Sequence, residues 1–209
     1  MIAVIDYGMG NLRSVEKAFQ AIGAQVIVTH DRNLILNADS IVLPGVGSFK
    51  DCMNNLQKLK LIDPIRESID NGKPFLGICL GLQVLFDESE EYGPVAGLGI
   101  LAGKVVRFPN KISETKNGPL IKVPHMGWNK ILVKKTDSLF ETVETTPYFY
   151  FVHSYYVVPE DPDIVATVTH YGIEFVSGIQ YKNIYAFQFH PEKSQTLGLS
   201  LLKRFSNLN

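Results

Sequence analysis

The sequence of 209 residues is short of cysteine and tryptophan, has no surplus of either charge, and contains no long apolar run. Its two cysteines, Cys52 and Cys79, are too few for a disulfide scaffold. Twenty Lys and Arg stand against 21 Asp and Glu, a net charge of −1. That balance leaves no electrostatic footprint for nucleic acid or an anionic membrane. No apolar stretch approaches the roughly 20 residues that cross a bilayer. The start, Met1-Ile2-Ala3-Val4-Ile5-Asp6, lacks a basic region and a small-residue cleavage site, so it does not read as a signal peptide. Repeats, low-complexity tracts and polar linkers are also missing. With 45% hydrophobic and 20% charged residues, the composition is ordinary for a globular chain and excludes disordered, collagen-like and coiled-coil classes. The expectation is a cytoplasmic protein with one domain over residues 1–209.

What is present is an alternation of strand and helix signals through the first ninety residues. Ile2 to Ile5 is a continuous apolar run, as expected of a strand buried on both faces. Leu12, Val15, Phe19 and Ile22 follow at helical spacing, with Gly23 placed for a C-terminal cap. Val26–Val28, Ser40–Leu43 and Pro74–Ile78 read as further strands. Met53, Leu56 and Leu59 mark another helix, and Asp63-Pro64 reads as an N-cap followed by proline at the first helical position. Such alternation predicts a parallel sheet with helices on both faces.

After about residue 95, aromatics and turn residues predict antiparallel strands. These are Ile100–Phe108, Trp128–Val133, Tyr148–Val158, Ile164–Thr169, Ile173–Tyr181 and Ile184–His190. Asn110 to Pro119 is polar and reads as a loop, and Ser194 to Leu208 as an amphipathic helix. The expected fold is three-layer α/β: a central, largely parallel sheet flanked by helices, with additional antiparallel strands.

Gly77-Ile78-Cys79-Leu80-Gly81 lies between a buried strand and a helical pattern continuing through Leu82, Leu85 and Phe86. This is the setting of a nucleophile elbow with cysteine in place of serine. Flanking glycines permit the tight turn, and the following helix would favour a thiolate. The amide of Leu80 would face an oxyanion formed on an attacked carbonyl. Cys52 has no such glycines and reads as structural.

A thiol nucleophile needs a base, and the base an orienting group. His190-Pro191-Glu192 supplies both, since Pro191 keeps His190 extended and residues two apart then share a face. His30 and His170 read as surface residues, while His125 and His153 fall in aromatic stretches. Pro44-Gly45-Val46-Gly47 follows a strand and has no phosphate-loop lysine after it, so its amides are candidates for a second oxyanion wall. Asp6-Tyr7-Gly8-Met9-Gly10-Asn11 lacks the third glycine of a dinucleotide loop.

Together these segments resemble the class I glutamine amidotransferases, which have a flavodoxin-like sheet. The elbow with Gln83, the Pro44–Gly47 strand and Phe187-Gln188-Phe189-His190-Pro191-Glu192 carry that resemblance. Asp6 to Leu12, Pro124-His125-Met126-Gly127-Trp128-Asn129, Phe151 to Tyr156 and Glu192 to Gln195 narrow it to the glutaminase subunits of imidazole glycerol phosphate synthases, of histidine biosynthesis. The resemblance spans essentially the whole chain. It implies that Cys79 attacks the side-chain amide of glutamine, that His190 moves the proton, and that Glu192 orients His190. Gln83, Gly45 and His153-Ser154-Tyr155 would hold the substrate. Leu80 and an amide of Val46 or Gly47 would form the oxyanion hole after a flip of that strand.

No cofactor or metal is implied. A separate (β/α)₈ synthase subunit would use the ammonia, for which 209 residues leave no acceptor site. Asn11, Arg13, Ser14, His125, Met126, Trp128 and Lys193 are the candidate docking surface, with Tyr148 and Tyr150 nearby. Three alternatives remain open on the sequence. They are a paralogous subunit feeding an amidine-forming synthase of surface-sugar biosynthesis, a γ-glutamyl peptidase, and a non-catalytic module.

Overall fold

A computed structural model of the chain describes residues 1–113, 118–135, 139–140 and 147–208. The first part alternates as expected. It runs β1 (Ile2–Ile5), α1 (Leu12–Ala21), β2 (Val26–Thr29), α2 (Arg32–Asn37), β3 (Ser40–Gly45), α3 (Phe49–Lys58), α4 (Ile62–Asp70), β4 (Phe75–Cys79) and α5 (Leu80–Gln83). The second part supplies β5 (Phe86–Ser89), β6 (Val95–Ala96), β7 (Leu101–Arg107), β8 (His125–Lys130), β9 (Leu132–Val133), β10 (Tyr148–His153) and β11 (Tyr155–Pro159). The chain continues through β12 (Val165–His170), β13 (Glu174–Tyr181) and β14 (Ile184–Phe187) to α6 (Gln195–Ser206).

One sheet runs β2-β1-β3-β4-β14-β13-β11-β7-β5-β6, with β12 and β9 attached beside β13. Strands β2 to β14 in that order pair in parallel, while β13, β11 and β12 join antiparallel. Both faces are covered, because successive residues of a strand point to opposite sides. Ala3 and Ile5 enter a core with Ile35, Phe49, Leu56 and Ile65 from α2, α3 and α4. Ile2 and Val4 enter the other with Val15 and Phe19 of α1 and Leu201 and Phe205 of α6. Burying one such side chain contributes about 1.5–3 kcal/mol. A separate antiparallel ribbon, β8 with β10, lies apart from the main sheet.

Local chemistry explains most boundaries. Helix α1 ends at Ile22, and Gly23 takes φ +80° with its N–H on the Gln20 carbonyl. Asp31 accepts from the amides of Asn33 and Leu34 at the start of α2, and Ser48 accepts from Asp51 at the start of α3.

Several expectations needed revision. Helix α5 has four residues, and the chain from Phe86 is strand because it pairs with β7. Asp63 sits inside the first turn of α4, whose N-cap position is Leu61. The expected strand Trp128–Val133 begins at His125, breaks at Ile131 and divides between two sheets. Tyr148–Val158 breaks at Ser154, and the last strand stops at Phe187, short of His190. Of the loop Asn110–Pro119, residues 114–117 lie outside the described residues.

Candidate active site

The site grows from the end of β4. Cys79 has φ +55° and ψ −104°, a backbone conformation that L side chains rarely adopt. The surrounding packing enforces it. A Cβ on Gly81 would lie 1.8 Å from the Leu43 carbonyl oxygen, and one on Gly77 would lie 2.6 Å from that of Gly81. Only glycine fits at either position, so β3, β4 and the elbow close on one another. The Cys79 sulfur points to the Val152 carbonyl at 3.9 Å and receives the Gln188 Nε2–H at 3.5 Å. Since α5 is one turn long, it supplies its first amides to the site and little helix dipole.

His190 reaches the same place from the end of β14, the parallel strand beside β4. After β14 the chain turns through Pro191–Lys193, and His190 stands extended at φ −103° and ψ 94°, as the following proline requires. Its backbone is pinned to the ribbon: the His190 N–H donates to Tyr150, and Ser194 Oγ donates to the His190 carbonyl. Nδ1 lies 2.8 Å from Glu192 Oε1, with both side chains almost wholly buried. Nε2 is buried and has no hydrogen-bond partner of good geometry. Burial opposes a charged imidazole, but the Cys79 sulfur and the Glu192 carboxylate outweigh it and raise His190 to about 10. The ring is therefore held between a sulfur and a carboxylate that together favour its protonated form.

Cys79 and His190 face a cavity of about 450 Å³, within the range of small-molecule sites. Val46, Gly47, Leu80, Gln83, Glu91, Pro124 and residues 152–155 complete its lining. All three expected triad residues thus converge, and so do the candidate oxyanion residues. Gly47 has φ +91°, and Val46 is 38% exposed. Gly45 does not line the cavity. It packs behind the site, where an added Cβ would meet Leu80 Cβ at 2.6 Å and the Tyr7 hydroxyl at 2.9 Å. Gln83 lines the cavity while its Nε2 donates to the Tyr155 carbonyl and to Gln188 Oε1.

The candidate docking residues divide by face. On the ribbon, Trp128 pairs with Tyr150 and Met126 with Val152. Met126 is 62% and Trp128 48% exposed, while Lys193 Nζ lies 5.7 Å from the Tyr150 ring and Lys130 Nζ 5.5 Å from the Tyr148 ring. This aromatic and cationic face borders the cavity, since Val152 belongs to both. Arg13 is exposed, and Asn11, Ser14 and Lys193 are partly so. His125 is not on that face. It is 2% exposed, stacked between Phe151 and Tyr171, because strand alternation turns it inward.

The sequence reading missed Glu91 and Gln188. Glu91 places a carboxylate in the cavity and accepts the Phe49 N–H at 2.7 Å. Gln188 lies one strand away from Cys79 and binds its sulfur. Neither carries a local sequence signal, although Gln188 sits inside the segment that holds His190. Cys52 behaves as expected of a structural thiol: it is fully buried, and burial pushes it up to about 12. His30 and His170 are exposed.

Comparison with known proteins points the same way. A family model described as glutamine amidotransferase class-I matches residues 3–207. The chain is 50% identical over 208 residues to the imidazole glycerol phosphate synthase subunit HisH of Syntrophotalea carbinolica, covering 100% of both. It is 53% identical over 203 residues to the subunit of that name from Aquifex aeolicus, covering 97% of this chain and 94% of the relative. A solved glutamine amidotransferase from Thermotoga maritima has the same fold, with a TM-score of 0.67 at 15% identity over 99% of this chain and 97% of that one.

Proposed function

Because the chain belongs to the class-I glutamine amidotransferase family, we propose that it hydrolyses glutamine with Cys79, His190 and Glu192 as its catalytic triad. The chain is the glutaminase subunit of an imidazole glycerol phosphate synthase, an enzyme of histidine biosynthesis. The observation that carries the triad is the strained elbow cysteine sharing a cavity with a histidine bonded to a buried glutamate. The whole chain acts as one glutaminase domain in the cytoplasm.

In this mechanism Cys79 Sγ attacks the side-chain amide carbon of glutamine. Its proton passes to His190 Nε2 before the attack, as the raised His190 midpoint favours, and the imidazolium gives it to the departing nitrogen as ammonia leaves. Glu192 holds Nδ1–H and stabilises the positive ring. The developing oxyanion is met by the Leu80 amide and by an amide of Val46 or Gly47, which line the same cavity. Water then cleaves the γ-glutamyl thioester, His190 taking its proton, and glutamate is released. The Glu91 carboxylate fits the α-ammonium group of the substrate, and the 153–155 wall fits its α-carboxylate.

The partner is a (β/α)₈ synthase subunit that receives the ammonia. Its docking surface is the ribbon face around Trp128, Met126, Tyr150 and Lys193, extended by Asn11, Arg13 and Ser14. An exposed tryptophan beside tyrosine and lysine has the composition of an interface anchor, and the cavity opens next to it.

The test is glutamate release with and without the synthase and its nucleotide ligand. Strong stimulation is expected, and Cys79→Ala should abolish glutamine turnover while added ammonia still supports the synthase. Normal glutamine turnover by Cys79→Ala would overturn the proposal.

A further inference from the structure

Two histidines that take no part in the proton transfers, His125 and His153, form a hydrogen-bonded chain beneath the docking ribbon. Asn129 Nδ2 lies 3.1 Å from His125 Nε2, His125 Nδ1 lies 3.0 Å from His153 Nε2, and His153 Nδ1 lies 2.8 Å from the Tyr155 carbonyl. Both ends of this chain have fixed polarity. The Tyr155 carbonyl can only accept, so His153 carries its proton on Nδ1 and accepts at Nε2. At the other end Asn129 Nδ2 also donates to the His170 carbonyl at 2.9 Å, which fixes the orientation of that amide. His125 must then accept at Nε2 and donate from Nδ1. The two deductions meet at the central bond and agree. Every link runs in one direction, from the ribbon to the cavity wall, with both imidazoles neutral.

The receiving end has a consequence for the cavity. The Tyr155 carbonyl accepts from His153 and also from Gln83 at 3.1 Å, and the Ser154 carbonyl accepts the Phe108 N–H at 3.0 Å. The Tyr155 carbonyl thus has both lone pairs engaged by donors, which weakens the negative charge it presents to an incoming carboxylate. At the donating end, His125 and Asn129 lie on the inner face of β8, whose outer face carries Met126 and Trp128. A displacement of β8 therefore moves the first members of the chain.

We propose that His125 is a positioning residue. Through His153 it holds the Tyr155 carbonyl engaged, and so couples the docking ribbon to binding of the glutamine α-carboxylate. This rests on the glutaminase reading above.

Two measurements test it. A long-range proton–nitrogen correlation spectrum of the histidine-labelled chain should show His125 and His153 both protonated on Nδ1. A proton on Nε2 of either ring would overturn the proposal. The second measurement compares His125→Gln with His125→Phe in the complex with the synthase. Gln can donate to His153 and accept from Asn129, whereas Phe keeps the stacking on Phe151 and Tyr171 but removes the donor. His125→Phe should raise KM for glutamine by about tenfold, because His153 without its donor can turn from the Tyr155 carbonyl and leave that charge facing the carboxylate. Its kcat and the rate of Cys79 alkylation by iodoacetamide should stay near wild type. His125→Gln should restore most of the KM. The reverse order, with Phe tolerated and Gln not, would show that His125 only fills space and would overturn the proposal. If the wild-type complex releases no glutamate, the glutaminase reading fails, and the spectrum still decides the polarity of the chain. The spectrum also decides if His125→Phe does not fold.

Discussion

Glu192→Gln removes a charge from the site while nearly preserving shape. The carboxylate is 1% exposed and 2.8 Å from His190 Nδ1, so water cannot replace it. Glutamine still offers an oxygen to Nδ1–H, and the loss is concentrated in the charge. Burial works against the imidazolium, and the Cys79 sulfur and Glu192 together lift His190 to about 10. Removing one opposite charge at contact distance should lower its titration midpoint by about 1–3 pH units. At 1.36 kcal/mol per pH unit, the imidazolium loses about 1–4 kcal/mol, or roughly 10- to 10³-fold in kcat if it forms in the rate-limiting step. Glutamate release in the synthase complex at saturating glutamine reads the rate, and nitrogen chemical shifts of His190 read the midpoint. The stability profile gives a third readout. A histidine raised on folding contributes stability that is complete below its ordinary pKa near 6.5. That contribution is lost as pH rises through about 10. The wild type should therefore lose stability across that window, and the variant less so. A variant with wild-type kcat and an unmoved His190 midpoint would refute the role given to Glu192.

At the other extreme of pH, burial lowers His125 to about 4, so it is neutral in the fold and charged once unfolded in mild acid. Its contribution, on the order of 3 kcal/mol, is present above about pH 6.5 and lost as pH falls toward 4; denaturant melts across that range check this, and a flat profile would contradict it. Gly81→Ala places a methyl 1.8 Å from the Leu43 carbonyl oxygen, so the thermal midpoint should fall sharply and the elbow should open. A wild-type melt with full activity would contradict the packing argument. Trp128→Ala should weaken synthase binding by about 2 kcal/mol or more by calorimetry. It should leave the melting of the free chain nearly unchanged, because the side chain is half exposed.

Much of the parallel half was legible because its signals are local. Ile2 to Ile5 can be little else than a strand buried on two faces, and Gly23 ends α1 by its own conformational freedom. The grouping of Cys79, His190 and Glu192, proposed above as the triad, was legible too, since Gly77 and Gly81 flank Cys79 and Pro191 separates His190 from Glu192 within one turn. The antiparallel half was harder. Its aromatic runs announce strands but not their breaks, so the break at Ser154, where one strand becomes two, was invisible even though residues 153–155 were read as a substrate wall. The length of α5 was misread because Leu85 and Phe86 satisfy a helical stripe equally well, and only pairing with β7 makes Phe86 a strand residue.

The sequence by itself determined the proposed reacting groups and the turn chemistry that presents them, since a cysteine near glycines and a histidine before proline are constrained by their covalent neighbours. Tertiary structure decided everything that depends on two distant segments meeting. It turned His125 inward and joined it to His153 across the ribbon, brought Glu91 into the cavity and Gln188 to the sulfur, and left Trp128 outside. The reason is physical: which face a strand residue takes, and what it finds there, is fixed by register and by the packing of the whole sheet.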